Sequence, residues 1–169
     1  MTSREPVTSG RPSGPAGIDA PEVLTVDEPF DADRLYALRA TLSAHASRLG
    51  AAPALIDRLL IVAGELATNA VRHGGGRGRL RLWPRDGSWY CQVSDEGPGF
   101  ADPAAGHSWP DPTATGGRGM WICRQLSDNL VIATGDRGVT VTVVLGPLPA
   151  AGPEGEHRNS HGDGDGSAG

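Results

Sequence analysis

No apolar run in this sequence approaches the ~20 residues that carry a helix across a bilayer, and the segment Met1 to Ala20 lacks the apolar centre of a secretory signal. A cytoplasmic protein without membrane contact is the expectation. Basic excess is missing as well: 15 Arg and Lys stand against 20 Asp and Glu, for a net charge of −5. A nucleic-acid-binding domain would carry the opposite balance, so direct contact with nucleic acid is not expected. Cysteine is scarce. Cys91, in a predicted strand, and Cys123, in a predicted helix, have no CxxC spacing and no His or Cys cluster beside them, so both read as buried, reduced core residues.

What is present suffices for one globular domain. The 169 residues are 38% hydrophobic, enough for a single core with tails. Residues 1–20 are rich in Ser, Pro and Gly, and residues 148–169 form an acidic, Gly-rich end with His161-Gly162-Asp163-Gly164-Asp165-Gly166. Neither can bury enough apolar surface to offset its ordering entropy, so both are expected to be disordered. The Gly/Asp end lacks the ligand spacing and terminal Glu of a calcium loop. The folded unit is expected over residues 21–147.

Within that unit, Val23 to Val26 suits a short strand. Asp31 or Asp33 can cap a helix carrying Leu35, Leu38, Leu42, Ala46 and Leu49 at spacings of three and four, ended by Gly50. Pro53 opens a second helix whose Leu55, Leu59, Val62, Ala63, Leu66 and Ala70 form one stripe, stopping at Gly74-Gly75-Gly76. Arg79 to Leu82 and Trp89 to Val93 alternate as strands around an Asp86-Gly87 turn. Residues 100–115 show no period and read as a loop. Met120 to Leu126 is a short helix, and Leu130 to Ile132 with Val139 to Leu145 make a last hairpin around Gly135-Asp136. The order strand, helix, helix, hairpin, helix, hairpin implies an α+β two-layer sandwich: a mainly antiparallel mixed sheet with helices on one face.

Three stretches carry chemistry. Glu65-Leu66-Ala67-Thr68-Asn69 places a carboxylate and an amide one helical turn apart, about 40° from one another around the axis. The amide oxygen of Asn69 is a hard, neutral ligand suited to Mg2+, and the Glu65 carboxylate can accept a proton. The plain alternative is a helix-surface pair, Glu65 with Arg72 or Asn69 with His73. Asp95-Glu96-Gly97-Pro98-Gly99 puts an acid at a strand end before a glycine turn; alternation places Asp95 on the face of Cys91 and Val93, while an ordinary surface turn is the alternative. Gly116-Gly117-Arg118-Gly119 opens a helix whose free N–H groups can hold phosphate oxygens, with Arg118 adding charge. It is not a P-loop, which needs Gly-Lys-Ser or Gly-Lys-Thr, nor a dinucleotide fingerprint.

In this order the three stretches resemble the N, G1 and G2 boxes of the GHKL ATP-binding superfamily, which includes gyrase and the histidine kinases, and most nearly its small bacterial branch of anti-sigma factor serine/threonine kinases. The resemblance covers about residues 21–147. It implies that Asp95 accepts from the adenine amine, that Gly97 and Gly99 let the backbone approach the base, and that Asn69 holds Mg2+. Glu65 is then the catalytic base. The implied nucleotide contacts are Asn69, Asp95, Gly97, Gly99, Gly116, Gly117, Arg118, Gly119, Met120 and Thr140; for Thr140, after Gly138, a plain strand-forming role is equally open. ATP and Mg2+ are the implied cofactors, an antagonist protein and a sigma factor the implied partners, and a homodimer an open arrangement. Phe100 to Thr115 is short, Pro-rich and without Lys or Arg. That favours an alternative, a nucleotide-sensing protein-binding module with little phosphotransfer; a slow standalone ATPase is a third reading.

Overall fold

The computed structural model describes residues 17–98, 117–135 and 138–146. Its elements are β1 (Val26–Asp31), a 3-10 turn (Ala32–Arg34), α1 (Leu35–Arg48), α2 (Pro53–His73), β2 (Arg77–Arg85), β3 (Ser88–Asp95), α3 (Arg118–Leu126), β4 (Asn129–Gly135) and β5 (Gly138–Leu145). The sheet order is β1-β2-β3-β5-β4. Every neighbouring pair is antiparallel, so the mixed character expected of the sheet is absent among the described strands. The expected loop at 100–115 and most of both expected tails lie outside the described residues.

Local chemistry accounts for the element ends. The Asp31 carboxylate accepts from the backbone N–H of Asp33 and Arg34 at 3.1 and 3.2 Å, capping the turn that leads into α1. Asp86 and Gly87, at φ 53° and 78°, supply the left-handed pair that a tight hairpin turn requires. One strand is displaced from its expected place: β1 begins at Val26 rather than ending there. Its register against β2 sets Val26 opposite Leu82 and Pro29 opposite Arg79. A proline and three acids are tolerated because β1 is an edge strand, and the buried Val26 and Phe30 fix its register from the core side.

The helices cover one face. Leu80, Leu82, Cys91, Val93, Val141, Val143 and Leu145 from the sheet meet Leu59, Val62, Ala63 and Leu66 of α2 in one buried cluster. Burying each such aliphatic side chain stabilises by roughly 1.5–3 kcal/mol. α2 is therefore the central helix, contacting α1 on one side, α3 on the other and the sheet beneath. The opposite sheet face carries Trp83 stacked on Tyr90 at 5.4 Å and the buried polar pair Gln92 and Thr142. Residues 17–20, expected in the tail, reach this face: Gln92 Nε2 donates to the Ile18 carbonyl at 3.0 Å.

Candidate active site

α2 presents Glu65 and Asn69 from the edge of its apolar stripe toward the start of α3. A Cβ built on Gly119 would stand 2.5 Å from Glu65 Oε2 and 3.5 Å from Asn69 Nδ2. An added Cβ would have to push aside the movable end of the Glu65 side chain, so the fold brings the first and third stretches into direct contact. α3 opens at Gly117, φ 95°, a glycine N-cap that offers no side chain to the first turn. The leading N–H groups and positive dipole end of α3 thus lie beside the Glu65 and Asn69 pair. Arg118 is exposed at the first helical position. One turn further, Cys123 is buried; its thiol is pushed up to about 12, chiefly by burial and next by the Glu65 charge.

Asp95 ends β3, opposite Gly78 on β2 and Val139 on β5. It sits on the helix-facing side, as alternation with Cys91 and Val93 requires. Its Oδ1 accepts from Gly97 N–H at 2.9 Å, closing a local turn that fixes the carboxylate. Glycines crowd around it. A Cβ on Gly74, the residue that ends α2, would overlap the Asp95 side chain; one on Gly97 would come within 2.5 Å of Gly74 Cα and 2.7 Å of the His73 carbonyl oxygen; one on Gly138, φ 125°, would collide with the Asp95 backbone. The end of α2, the turn after β3 and the start of β5 therefore converge with backbone against backbone.

Two expected contacts are placed elsewhere. Thr140 pairs with Ser94 and Ala133, one position from the Asp95–Val139 row, so it points to the opposite sheet face and the strand residue beside Asp95 is the buried Val139. Met120 is 2% exposed within the apolar core, because position 120 of α3 faces the sheet as Cys123 does. Gly99 and Gly116 lie outside the described residues. Conversely, Gly74 and Gly138 shape the site although the sequence reading gave them only helix-stopping and strand-flanking roles. The signal for Gly74 was its place within a run of three glycines, more than a helix end needs.

A groove of about 380 Å3 runs between α1 and α2, with Leu35, Leu38, Leu42 and Ala67 in its walls and Tyr36 and Ile61 on its rim. Glu65 borders it. The same residue thus sets a carboxylate oxygen at the opening of α3 and contributes to the lining of a surface groove. Among the described residues no cluster of three or more His, Cys, Asp or Glu could hold a metal by itself, and no helix is long and apolar enough to cross a membrane.

Residues 29–145 match the histidine kinase-like ATPase domain family, and the chain belongs to that family. Its antiparallel sheet with helices on one face is the fold of these ATPases. No curated protein matches the sequence significantly. Among solved structures, the RsbU and RsbW domains of Rv1364c from Mycobacterium tuberculosis superpose with a TM-score of 0.53 at 19% identity, covering 72% of this chain and 32% of that one. This chain therefore spans about a third of that protein's length. The histidine kinase domain of the blue-light activated kinase from Erythrobacter litoralis EL346 aligns at 23% identity over 64% of this chain and 60% of its own, with a TM-score of 0.43. The catalytic domain of histidine kinase ThkA aligns at 16% identity over 72% and 95%, with a TM-score of 0.46.

Proposed function

We propose that this chain is a cytoplasmic, ATP-dependent protein-serine/threonine kinase of the anti-sigma factor kind, which phosphorylates a small antagonist protein and sequesters a sigma factor. The observation that carries the reading is the contact of Glu65 and Asn69 with Gly119, a carboxylate and an amide set against the glycine opening of a helix. That donor set fits Mg-ATP: N–H groups and Arg118 suit phosphate oxygens, the Asn69 oxygen suits a hard divalent cation, and the absence of a Cβ at 119 leaves the approach open. Asp95 and Gly97 would hold the base, with Val139 as an apolar neighbour. When bound, Mg-ATP supplies the phosphoryl group and the cation that offsets its charge.

Within this reading Glu65 accepts the proton of the attacking hydroxyl. A protein segment docked in the groove between α1 and α2 would lie beside Glu65, which supports a protein acceptor over water alone. The test is incubation of the full chain with labelled ATP and candidate antagonist proteins. Label on a Ser or Thr of the antagonist is expected, and Glu65→Ala should lower transfer by ~10²–10⁴, the usual contribution of a positioned base, while ATP affinity stays within a few-fold. Tight ATP binding with no transfer from the wild type would favour the nucleotide-sensing binding module, which the absence of Lys and Arg between Phe100 and Thr115 supports. Phosphate release without any protein acceptor would favour the standalone ATPase.

A further inference from the structure

The sheet face that none of the described helices covers is built like a binding surface. By strand alternation it presents Arg79, Arg81 and Trp83 of β2, Tyr90 and Gln92 of β3, Thr142 of β5, and Val131 and Ala133 of β4. Gln92 and Thr142 are only 5% and 1% exposed. A buried polar pair on an uncovered face needs a partner, since an unsatisfied amide hydrogen out of water is costly. Gln92 Nε2 divides its two hydrogens between Thr142 Oγ1 and the Ile18 carbonyl, both at 3.0 Å, while its Oε1 faces Arg81 Nη1 at 3.4 Å. Of two further donors on this face, Arg81 Nε lies 3.6 Å from the Asp27 carboxylate, and Trp83 Nε1 is buried with no hydrogen-bond partner among the described residues.

The covering segment can be traced at three points. A Cβ on Gly17 would stand 3.4 Å from Ala133 Cβ, Ile18 is held by Gln92, and Thr25 N–H donates to the Leu82 carbonyl at 2.9 Å. Residues 17–25 thus run from β4 across β3 to the flank of β2, with Ile18, Ala20, Leu24 and Thr25 half-buried. They form no helix or ladder on the way. Residues 17–24 are held at Gln92 by a side-chain hydrogen bond rather than by strand pairing.

We infer that the outer face of the sheet is a peptide-docking surface and that its occupant is the chain's own residues 17–25, seated as a strap by Gln92. The seat lies directly behind the candidate nucleotide site. Ala133 is in register with Thr140 and Ser94, and the next row, Val139 and Asp95, faces the helices. The strap therefore ties together β3, β5 and β4 from behind while α2 and α3 pack on their front.

The near-contact of residues 17 and 133 allows a covalent trap, because disulfide-linked Cβ atoms lie about 3.5–4.5 Å apart. The full chain carrying Gly17→Cys and Ala133→Cys is exposed to oxidised glutathione at pH 8, the two thiols losing two hydrogens to that oxidant as the bridge forms. Native Cys91 and Cys123 are buried with thiols pushed up to about 12, so they do not compete. The expected result is a bridge within one chain, formed at least tenfold faster than in a control pairing Gly17→Cys with Ser88→Cys at the far end of β3. Adding Gln92→Met, which keeps the side-chain length and removes the donor, should slow the bridge several-fold. Bridging only between chains, or at the rate of the control pair, would overturn the docking; an unchanged rate with Gln92→Met would overturn the anchor. No nucleotide enters the assay, so its outcome is independent of the kinase reading.

Discussion

Replacing one hydrogen of Gly119 by a methyl group would put a carbon 2.5 Å from Glu65 Oε2, closer than real Cβ atoms stand to any neighbour. Gly119→Ala should therefore displace the Glu65 carboxylate, and in single-turnover transfer the rate should fall ~10-fold or more, since small misplacements of a reacting group are costly. ATP affinity measured by calorimetry should change less than the rate. Asp95 behaves differently, being fixed by Gly97 N–H and enclosed by Gly74 and Gly138. Asp95→Asn keeps the shape and removes the charge, so ATP affinity should drop about tenfold to a hundredfold, the loss of one charge-assisted hydrogen bond of roughly 1.5–3 kcal/mol. Circular dichroism should show the variant folded. Unchanged affinity would take Asp95 out of base recognition. The inward direction of Asp95 was legible in the sequence from its spacing to Cys91 and Val93. The same period, applied to Val139, Val141, Val143 and Leu145, turns Thr140 outward, and the spacing of three between Met120 and Cys123 turns both into the core. Reading those two positions from family likeness passed over alternation that was already visible.

At the scale of elements, α3 is placed by its far end as well as by Gly119. Arg58 of α2 donates to the Leu126 carbonyl through Nε and Nη2 at 3.1 and 2.7 Å, to the Gly146 carbonyl at 3.4 Å, and lies 3.6 Å from Asp128. One half-buried guanidinium thus ends α3 and ties it to the end of β5. Arg58→Leu leaves the Leu126 carbonyl short of donors in a partly buried place, so urea unfolding should show a loss of about 1–3 kcal/mol. A change near zero would mean that water replaces the guanidinium without cost. None of this was readable beforehand, because Arg58 is 68 residues from Leu126 in the chain. The helices and hairpins themselves were readable, because their apolar periods and Gly or Pro ends are local. β1 was misplaced for the opposite reason: its register comes from pairing with β2, and Glu28-Pro29 has no strand signal of its own.

For the whole molecule, the sheet is a partition. Its front carries the helices, Asp95 and both cysteine thiols; its back carries the strap. Burial raises Cys91 and Cys123 to about 12, so both remain protonated thiols at pH 8 in the folded state. Iodoacetamide should leave both unmodified in the native protein and alkylate both only in denaturant, as mass spectrometry would show; labelling of Cys123 alone without denaturant would indicate that α3 opens separately. The sequence by itself determined the helices, the two hairpins and the packing of helices on one face of the sheet, and it marked the three stretches that resemble the family's boxes, because period, caps and turn residues act over a few neighbours. Only the tertiary structure decided that Glu65 rests on Gly119, that Gly74 and Gly138 close on Asp95, and that residues assigned to a tail lie on the sheet. Each of these depends on two backbones meeting from distant parts of the chain. A missing Cβ or a single amide hydrogen decides whether they fit, and neither leaves a pattern along the sequence.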